Sequence, residues 1–232
     1  MMNFGILAAG NGSRLAADGV TTPKPLAEVG GTPLMARLAD AMRACGPHSV
    51  AVVTNARMAA VRDFALTLDF GTPRVCVEAV STASPAESLA CLLDMLPDGK
   101  AIICTTDTVI ARDSLAAFAT VFARTGCTGI AGVTAMPGPA CQALFVDTAP
   151  DGTVTAFSDS ASASTRFISA GIYGLVLPAA RRIAHTYGLR RLRDFQRLWL
   201  ASTPGLHTFD VGPAFDIDCA ADLTLARKYF DR

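Results

Sequence analysis

The sequence predicts an α/β protein whose mostly parallel sheet is covered by helices on both faces. Three observations predict it. Over the first half of the chain, short apolar runs alternate with helical patterns in a βαβαβα rhythm. Capping and turn residues bound those segments. The 232 residues suit one large α/β domain that buries a core without disulfides or structural metal.

The elements follow in order. Asn3 to Ala9 reads as a buried strand. Pro33 to Cys45 reads as a helix: Leu34, Leu38, Ala41, Met42 and Cys45 share a face, Thr32 is placed to cap it, and Gly46 ends it. Val50 to Thr54 is a strand and Arg57 to Leu66 a helix. Arg74 to Ala79 is a third strand. Ser84-Pro85-Ala86-Glu87 has capping-box spacing and opens a helix to about Leu96. Ala101 to Thr106 is a fourth buried strand, and Asp113 to Arg124 a helix. Next, Ala143 to Asp147 and Thr153 to Phe157 flank an Asp151-Gly152 turn, a hairpin signal. Arg166 to Leu177 is a strand, followed by helices at Pro178 to Tyr187 and Arg191 to Ala201. Leu206 to Val211 is a strand, and Ala220 to Phe230 a closing helix. No repeat or linker divides the chain, so residues 1–232 are expected to form one domain.

Composition excludes several functions. Twenty basic and twenty acidic residues balance, and no basic block suits nucleic acid or a membrane surface. The seven cysteines, Cys45, Cys76, Cys91, Cys104, Cys127, Cys141 and Cys219, include no Cys-x-x-Cys pair, which points away from zinc or a disulfide framework and toward a reducing cytoplasm. Cys76 and Cys104 lie in apolar runs, where a thiol acts as a small hydrophobe. The N-terminus lacks signal-peptide features, and no apolar run is long enough to span a membrane.

The chemistry concentrates in three stretches. The first is Leu7-Ala8-Ala9-Gly10-Asn11-Gly12-Ser13-Arg14-Leu15, with Pro23-Lys24-Pro25-Leu26 after it. It follows a buried strand directly, at the end where ligands sit in parallel sheets. Glycines 10 and 12 let backbone N–H groups approach phosphate oxygens. Arg14 and Lys24 supply positive charge, and two prolines restrict the backbone that carries Lys24. The dinucleotide pattern fails because position 15 is Leu and the second strand ends without an acid; a P-loop fails because Gly-Lys-Ser/Thr is absent. The second stretch, Ile102 to Asp107, ends a buried strand in a carboxylate. In the third, Phe215-Asp216-Ile217-Asp218, alternation puts Asp216 and Asp218 on one side of an extended segment. Two remote carboxylates also suit glycoside hydrolysis, but the phosphate loop weighs against it.

Leu-Ala-Ala-Gly-x-Gly-x-Arg followed by Pro-Lys-Pro-Leu resembles the signature of the NDP-sugar pyrophosphorylase-like nucleotidyltransferases, which include sugar-1-phosphate and phosphocholine nucleotidyltransferases. The resemblance implies a Rossmann-like three-layer sandwich with a mixed sheet, a bound NTP and Mg²⁺. It implies nucleotide contacts from Leu7 through Ser13, with Arg14 and Lys24 on the phosphates as the catalytic cations. Asp107 matches the family's metal-binding Asp, with Thr106 where the family shows Gly. Phe215 to Leu223 resembles the family's closing acidic stretch, which makes Asp216 the second metal ligand and Asp218 an accessory. Ser84 falls where the family contacts the base, although its spacing from Glu87 equally fits a cap. Ala170-Gly171-Ile172-Tyr173 resembles the family's acceptor-side stretch, with Ser169 in place of Asn; a strand bulge is the alternative reading of Gly171. The family's Glu-Lys-Pro is missing: Ser158-Asp159-Ser160 stands there, and Arg166 is the nearest cation. His48, His185 and His207 form no ligand or triad spacing, and Trp199 reads as packing.

The implied reaction is attack by an acceptor phosphate on the α-phosphorus of an NTP, with pyrophosphate leaving. A phosphate monoester with a second pKa of about 6 is mostly dianionic near neutral pH, so no general base is required. A sugar-1-phosphate is the leading acceptor. The alternatives are a phosphocholine-type or other phosphoalcohol cytidylyltransferase, a molybdopterin or terpenoid-precursor nucleotidyltransferase, and an NTP-binding sensor without turnover. Neither nucleic acid nor membrane is an expected partner; oligomerisation is left open.

Overall fold

A computed structural model describes residues 1–135, 143–186 and 188–230. Cys141, and Tyr187 at the expected end of a helix, lie outside the described residues. β1 (Asn3–Ala8) leads to a short helix α1 (Ser13–Ala17), a 3₁₀ turn (Lys24–Leu26), a small ladder of β2 (Glu28–Val29) with β3 (Thr32–Pro33), and α2 (Leu34–Ala44). The chain continues through β4 (Ser49–Asn55), α3 (Ala59–Ala65), β5 (Arg74–Val80), α4 (Pro85–Asp94), β6 (Lys100–Thr105), β7 (Thr108–Val109) and α5 (Arg112–Arg124). The second half comprises β8 (Gly129–Thr134), β9 (Phe145–Thr148), β10 (Val154–Ser158), β11 (Phe167–Val176), α6 (Leu177–Ala184), α7 (Leu192–Ser202), β12 (His207–Asp210), β13 (Phe215–Asp216) and α8 (Ala220–Phe230).

Nine of these strands form one mixed sheet. β5, β4, β1 and β6 are parallel neighbours. β11 enters antiparallel to β6 and carries β8 on its other edge, with β12 parallel to β8. Only β11 and β10 run against the remaining strands, so the sheet is mostly parallel. Side chains alternate between its faces. Phe4, Ile6 and Ala8 pack with α2, α3 and α5, whereas Leu7, Ala101 and Ile103 pack with α4, α6 and α7. This is the expected Rossmann-like three-layer α/β sandwich. Among the described residues no helix is long and apolar enough to cross a membrane.

Two local expectations change. Thr32 does not cap α2: it belongs to β3, and Pro33 holds the N-cap position with no side-chain hydrogen bond. β8 was not foreseen; Gly129 and Gly132 weaken its strand pattern, since glycine offers no side chain to pack. Here those glycines give room for close packing. A Cβ at Gly129 would lie 2.8 Å from Trp199, and one at Gly132 2.9 Å from Ile172. Trp199 is buried against Phe195 and Tyr173, as packing rather than a surface stack.

The hairpin placement shapes the cleft. β6 pairs with residues 172–176 of β11, and β9 pairs with Phe167 and Ile168. Since β8 occupies the opposite edge, β9 continues along the edge that β6 uses. The β9–β10 hairpin therefore stands beyond the carboxyl end of β6.

Candidate active site

β1 delivers its loop to the carboxyl edge of the sheet. Leu7 and Ala8 are buried in opposite layers, and the Leu7 carbonyl accepts the Thr106 amide at 3.2 Å. They support the loop from behind. Gly10, Asn11, Ser13 and Arg14 are exposed, with Ala9 and Gly12 half-buried. Gly12 has φ +60°, and a Cβ there would lie 3.1 Å from the Lys24 Cβ, so the turn into α1 and the approach of Lys24 both require glycine. Asn55, at the tip of β4, was missed by sequence reasoning. Its Nδ2 donates to the Ala9 carbonyl at 3.1 Å and to Asn11 Oδ1 at 2.8 Å, and so fixes the loop. A polar residue ending a parallel strand beside the loop was the available signal.

A two-stranded ladder brings the remote aspartates together. β7 follows Asp107, and β13 pairs with it so that Asp216 faces Thr108; the Ile217 amide donates to the Asp107 carbonyl at 2.9 Å. Phe215 and Ile217 are buried in a separate apolar cluster with Leu15, Val109 and Leu223. Each such burial contributes roughly 1.5–3 kcal/mol before entropy. Alternation then turns Asp216 outward. Asp222 accepts from the Asp218 and Cys219 amides at 3.0 and 2.9 Å, which caps α8 and holds Asp218 in place.

The result is a chain of opposite charges. Lys24 Nζ lies 3.0 Å from Asp107 and 2.8 Å from Asp218, whose other oxygen lies 2.7 Å from Arg14. Burial alone would lower the Lys24 pKa, but Asp107, Asp216 and Asp218 outweigh it and hold the ammonium above the ordinary lysine value. Burial likewise acts to raise Asp107; Lys24 and the hydrogen bonds from Thr105 and Lys24 overcome this and hold it below the usual carboxylate range. Asp216 goes the other way. Its side chain is exposed, yet desolvation by the protein crowded around it and then the Asp107 charge push it well up, against the pull of Lys24.

The residues present fit a divalent cation. One oxygen each from Asp107, Asp216 and Asp218 lies within 4.8 Å of the others, an all-carboxylate set that suits a hard ion such as Mg²⁺. The raised pKa of Asp216 comes first from desolvation and then from the charge of Asp107, and a cation would offset the like-charge part.

Around this centre the predicted contacts divide. Ser84 caps α4: its Oγ accepts the Glu87 amide at 3.3 Å, and Glu87 in turn accepts the Ala83 amide at 2.9 Å. That capping box commits the Ser84 hydroxyl. Gly171 sits at a bulge of β11 with φ +67°, and a Cβ there would lie 2.4 Å from both Thr105 Oγ1 and Thr108 Oγ1. Its missing side chain makes room for the threonines flanking Asp107. Arg166 is exposed where the chain enters β11, beyond the tip of β6. Asp159, after the hairpin, gathers Arg193 and Arg197 from α7, which sequence distance had hidden. The Arg190 carbonyl accepts the Ala86 amide at 3.1 Å, so the start of α7 lies against the start of α4. His185 pairs with Asp94 at 3.0 Å near the surface, as a structural contact.

Comparison with known proteins follows this geometry. The model of the MobA-like NTP transferase domain matches residues 5–196; Asp216 and Asp218 lie beyond that span. No curated protein matches the chain in sequence. Among solved structures, the inositol-1-phosphate CTP transferase from T. maritima superposes with a TM-score of 0.79 at 15% identity, over 98% of this chain and 96% of that one. A Bacillus anthracis protein assigned as a glucose-1-phosphate thymidylyltransferase, in complex with a sucrose, gives 0.80 at 15%, over 100% and 96%. HddC from Yersinia pseudotuberculosis gives 0.75 at 18%, over 99% and 100%, and has also been solved with GMP-PN.

Proposed function

We propose that this nucleotidyltransferase, which belongs to the family of MobA-like NTP transferase domains, moves a nucleoside monophosphate from an NTP to the phosphate of a small molecule and releases pyrophosphate. The convergence of Arg14 and Lys24 with Asp107, Asp216 and Asp218 carries the reading. Ala9 to Ser13 offer backbone N–H groups to the triphosphate, with Leu7 and Ala8 as their buried support. Arg14 and Lys24 turn from their aspartates to the phosphates. The segment ending at Ser84 faces the base through its backbone. Asp107 and Asp216 would hold Mg²⁺, which when bound would supply charge neutralisation to the triphosphate.

An oxygen of the dianionic acceptor phosphate forms the new bond to the α-phosphorus. The bond from that phosphorus to the bridging oxygen breaks, and pyrophosphate leaves with the electron pair. Lys24 and Arg14 position the anions and stabilise the charge that develops. The acceptor enters under the hairpin, between the bulge at Gly171 and Arg166. A ring phosphate is the acceptor class, and a sugar-1-phosphate its first member. The neighbours named for inositol-1-phosphate and glucose-1-phosphate support this class. The hairpin and β12 join the same sheet as β1, which supports one nucleotidyltransferase domain over 1–232. Free cysteines at the described positions are consistent with a cytoplasmic enzyme.

The test is pyrophosphate release from each common NTP with sugar-1-phosphates, inositol-1-phosphate, phosphocholine and related phosphoalcohols, with and without Mg²⁺. The expected result is release that requires the metal and one acceptor class. Silence across the whole panel would contradict the proposal.

A further inference from the structure

We propose that Lys24 acts as an internal cation that occupies the metal-binding corner until nucleotide arrives, so that the free protein excludes divalent ions. This rests on the reading of Asp107 and Asp216 as metal ligands. The Lys24 side chain is only 10% exposed, and its Nζ bridges Asp107 and Asp218 at 3.0 and 2.8 Å. Those two carboxylates belong to the group whose oxygens lie within 4.8 Å of one another. An ammonium at 3.0 Å from Asp107 and 2.8 Å from Asp218 puts a positive charge within a few ångströms of any ion that this group holds, and the repulsion between the two cations opposes binding of the ion. The second oxygen of Asp218 is also paired, with Arg14.

The backbone supports such a lock. Pro23 and Pro25 flank Lys24, and the Leu26 amide closes the turn on the Pro23 carbonyl at 2.8 Å. Lys24 therefore moves by side-chain rotation alone. A triphosphate carries enough negative charge to draw both Lys24 and Arg14 off the aspartates. The two cations then bind phosphate, and Asp107, relieved of Lys24, binds metal together with Asp216. Nucleotide and metal are coupled through one lysine, and bare metal is rejected.

The probe is Mn²⁺ alone, titrated into nucleotide-free protein and followed by the electron paramagnetic resonance signal of the free ion. Lys24→Met and Lys24→Gln are expected to tighten Mn²⁺ binding at least about tenfold, within the usual range of coupling between sites. Lys24→Arg keeps the charge and should bind as weakly as wild type. Adding Asp107→Asn to Lys24→Met should abolish the gain. Circular dichroism of each variant establishes that it is folded. Equal Mn²⁺ affinity in wild type and both uncharged variants, with Asp107→Asn still weakening it, overturns the lock and leaves the metal reading standing. Mn²⁺ binding that Asp107→Asn does not affect overturns both.

Discussion

Gly171→Ala should damage the site through its floor. The residue has φ +67°, a conformation that costs an L side chain about 1–2 kcal/mol. The new Cβ would lie 2.4 Å from both Thr105 Oγ1 and Thr108 Oγ1. These side chains are buried and 3.1 Å apart in a mutual hydrogen bond. Moving them adds roughly 1–3 kcal/mol of overpacking and, if their bond breaks, about 1–3 kcal/mol for an unsatisfied buried hydroxyl. The total of about 2–5 kcal/mol, or about 3–8 kcal/mol if the bond breaks, is a large part of the 5–15 kcal/mol typical of a folded protein. Urea denaturation measures it directly, and the melting temperature should fall by roughly 4–32 °C at ~2–4 °C per kcal/mol. Turnover should fall further than stability explains, since Thr105 ends the strand that delivers Asp107 to the site. In a Thr105→Ala/Thr108→Ala background the same change should cost only the backbone share, about 1–2 kcal/mol. A loss below about 1 kcal/mol for the single variant would refute this account of the bulge.

Other predictions follow from the same geometry. Asn55→Ala removes two hydrogen bonds to the phosphate loop, each worth about 0.5–1.5 kcal/mol. It should raise the KM for NTP by about tenfold, and an unchanged KM in steady-state kinetics would count against the anchoring role. Native Asp216 holds its proton to higher pH than an unfolded carboxylate, because of desolvation in the crowded corner and the charge of Asp107. Its contribution therefore turns unfavourable as pH rises from the ordinary carboxylate range through its raised pKa. Asp216→Asn should abolish turnover yet raise the melting temperature of the metal-free protein at pH 8, more than at pH 4; calorimetry at both pH values checks the sign. Asp107, with a depressed pKa, contributes oppositely and loses its contribution as pH falls. Arg166→Ala should raise the acceptor KM several-fold and leave the NTP KM near wild type; equal effects on both would remove Arg166 from the acceptor side.

What the sequence revealed depended on how local each signal was. The buried strands, the Ser84–Glu87 capping box and the Asp151-Gly152 turn are written in neighbouring residues, and the structure has them at those places. Asp107 was legible because a strand end followed by a carboxylate is a local pattern. β8 was obscured because its glycines serve contacts with Trp199 and Ile172 from distant elements. The Asn55 anchor depends on parallel pairing of β1 with β4, and the arginines at Asp159 come from a helix more than thirty residues on. The pairing of Lys24 with Asp107 and Asp218 was hidden for the same reason. Sequence reading gave each of these a separate role, and only the fold shows them neutralising one another.

The most direct test of the account follows the α-phosphorus. With NTP labelled at the α-phosphate, label should appear on the phosphorylated acceptor and be absent from the released pyrophosphate, and Asp107→Asn should prevent the transfer. Label that stays on the NTP with every acceptor, or that appears only in free nucleoside monophosphate, would contradict it.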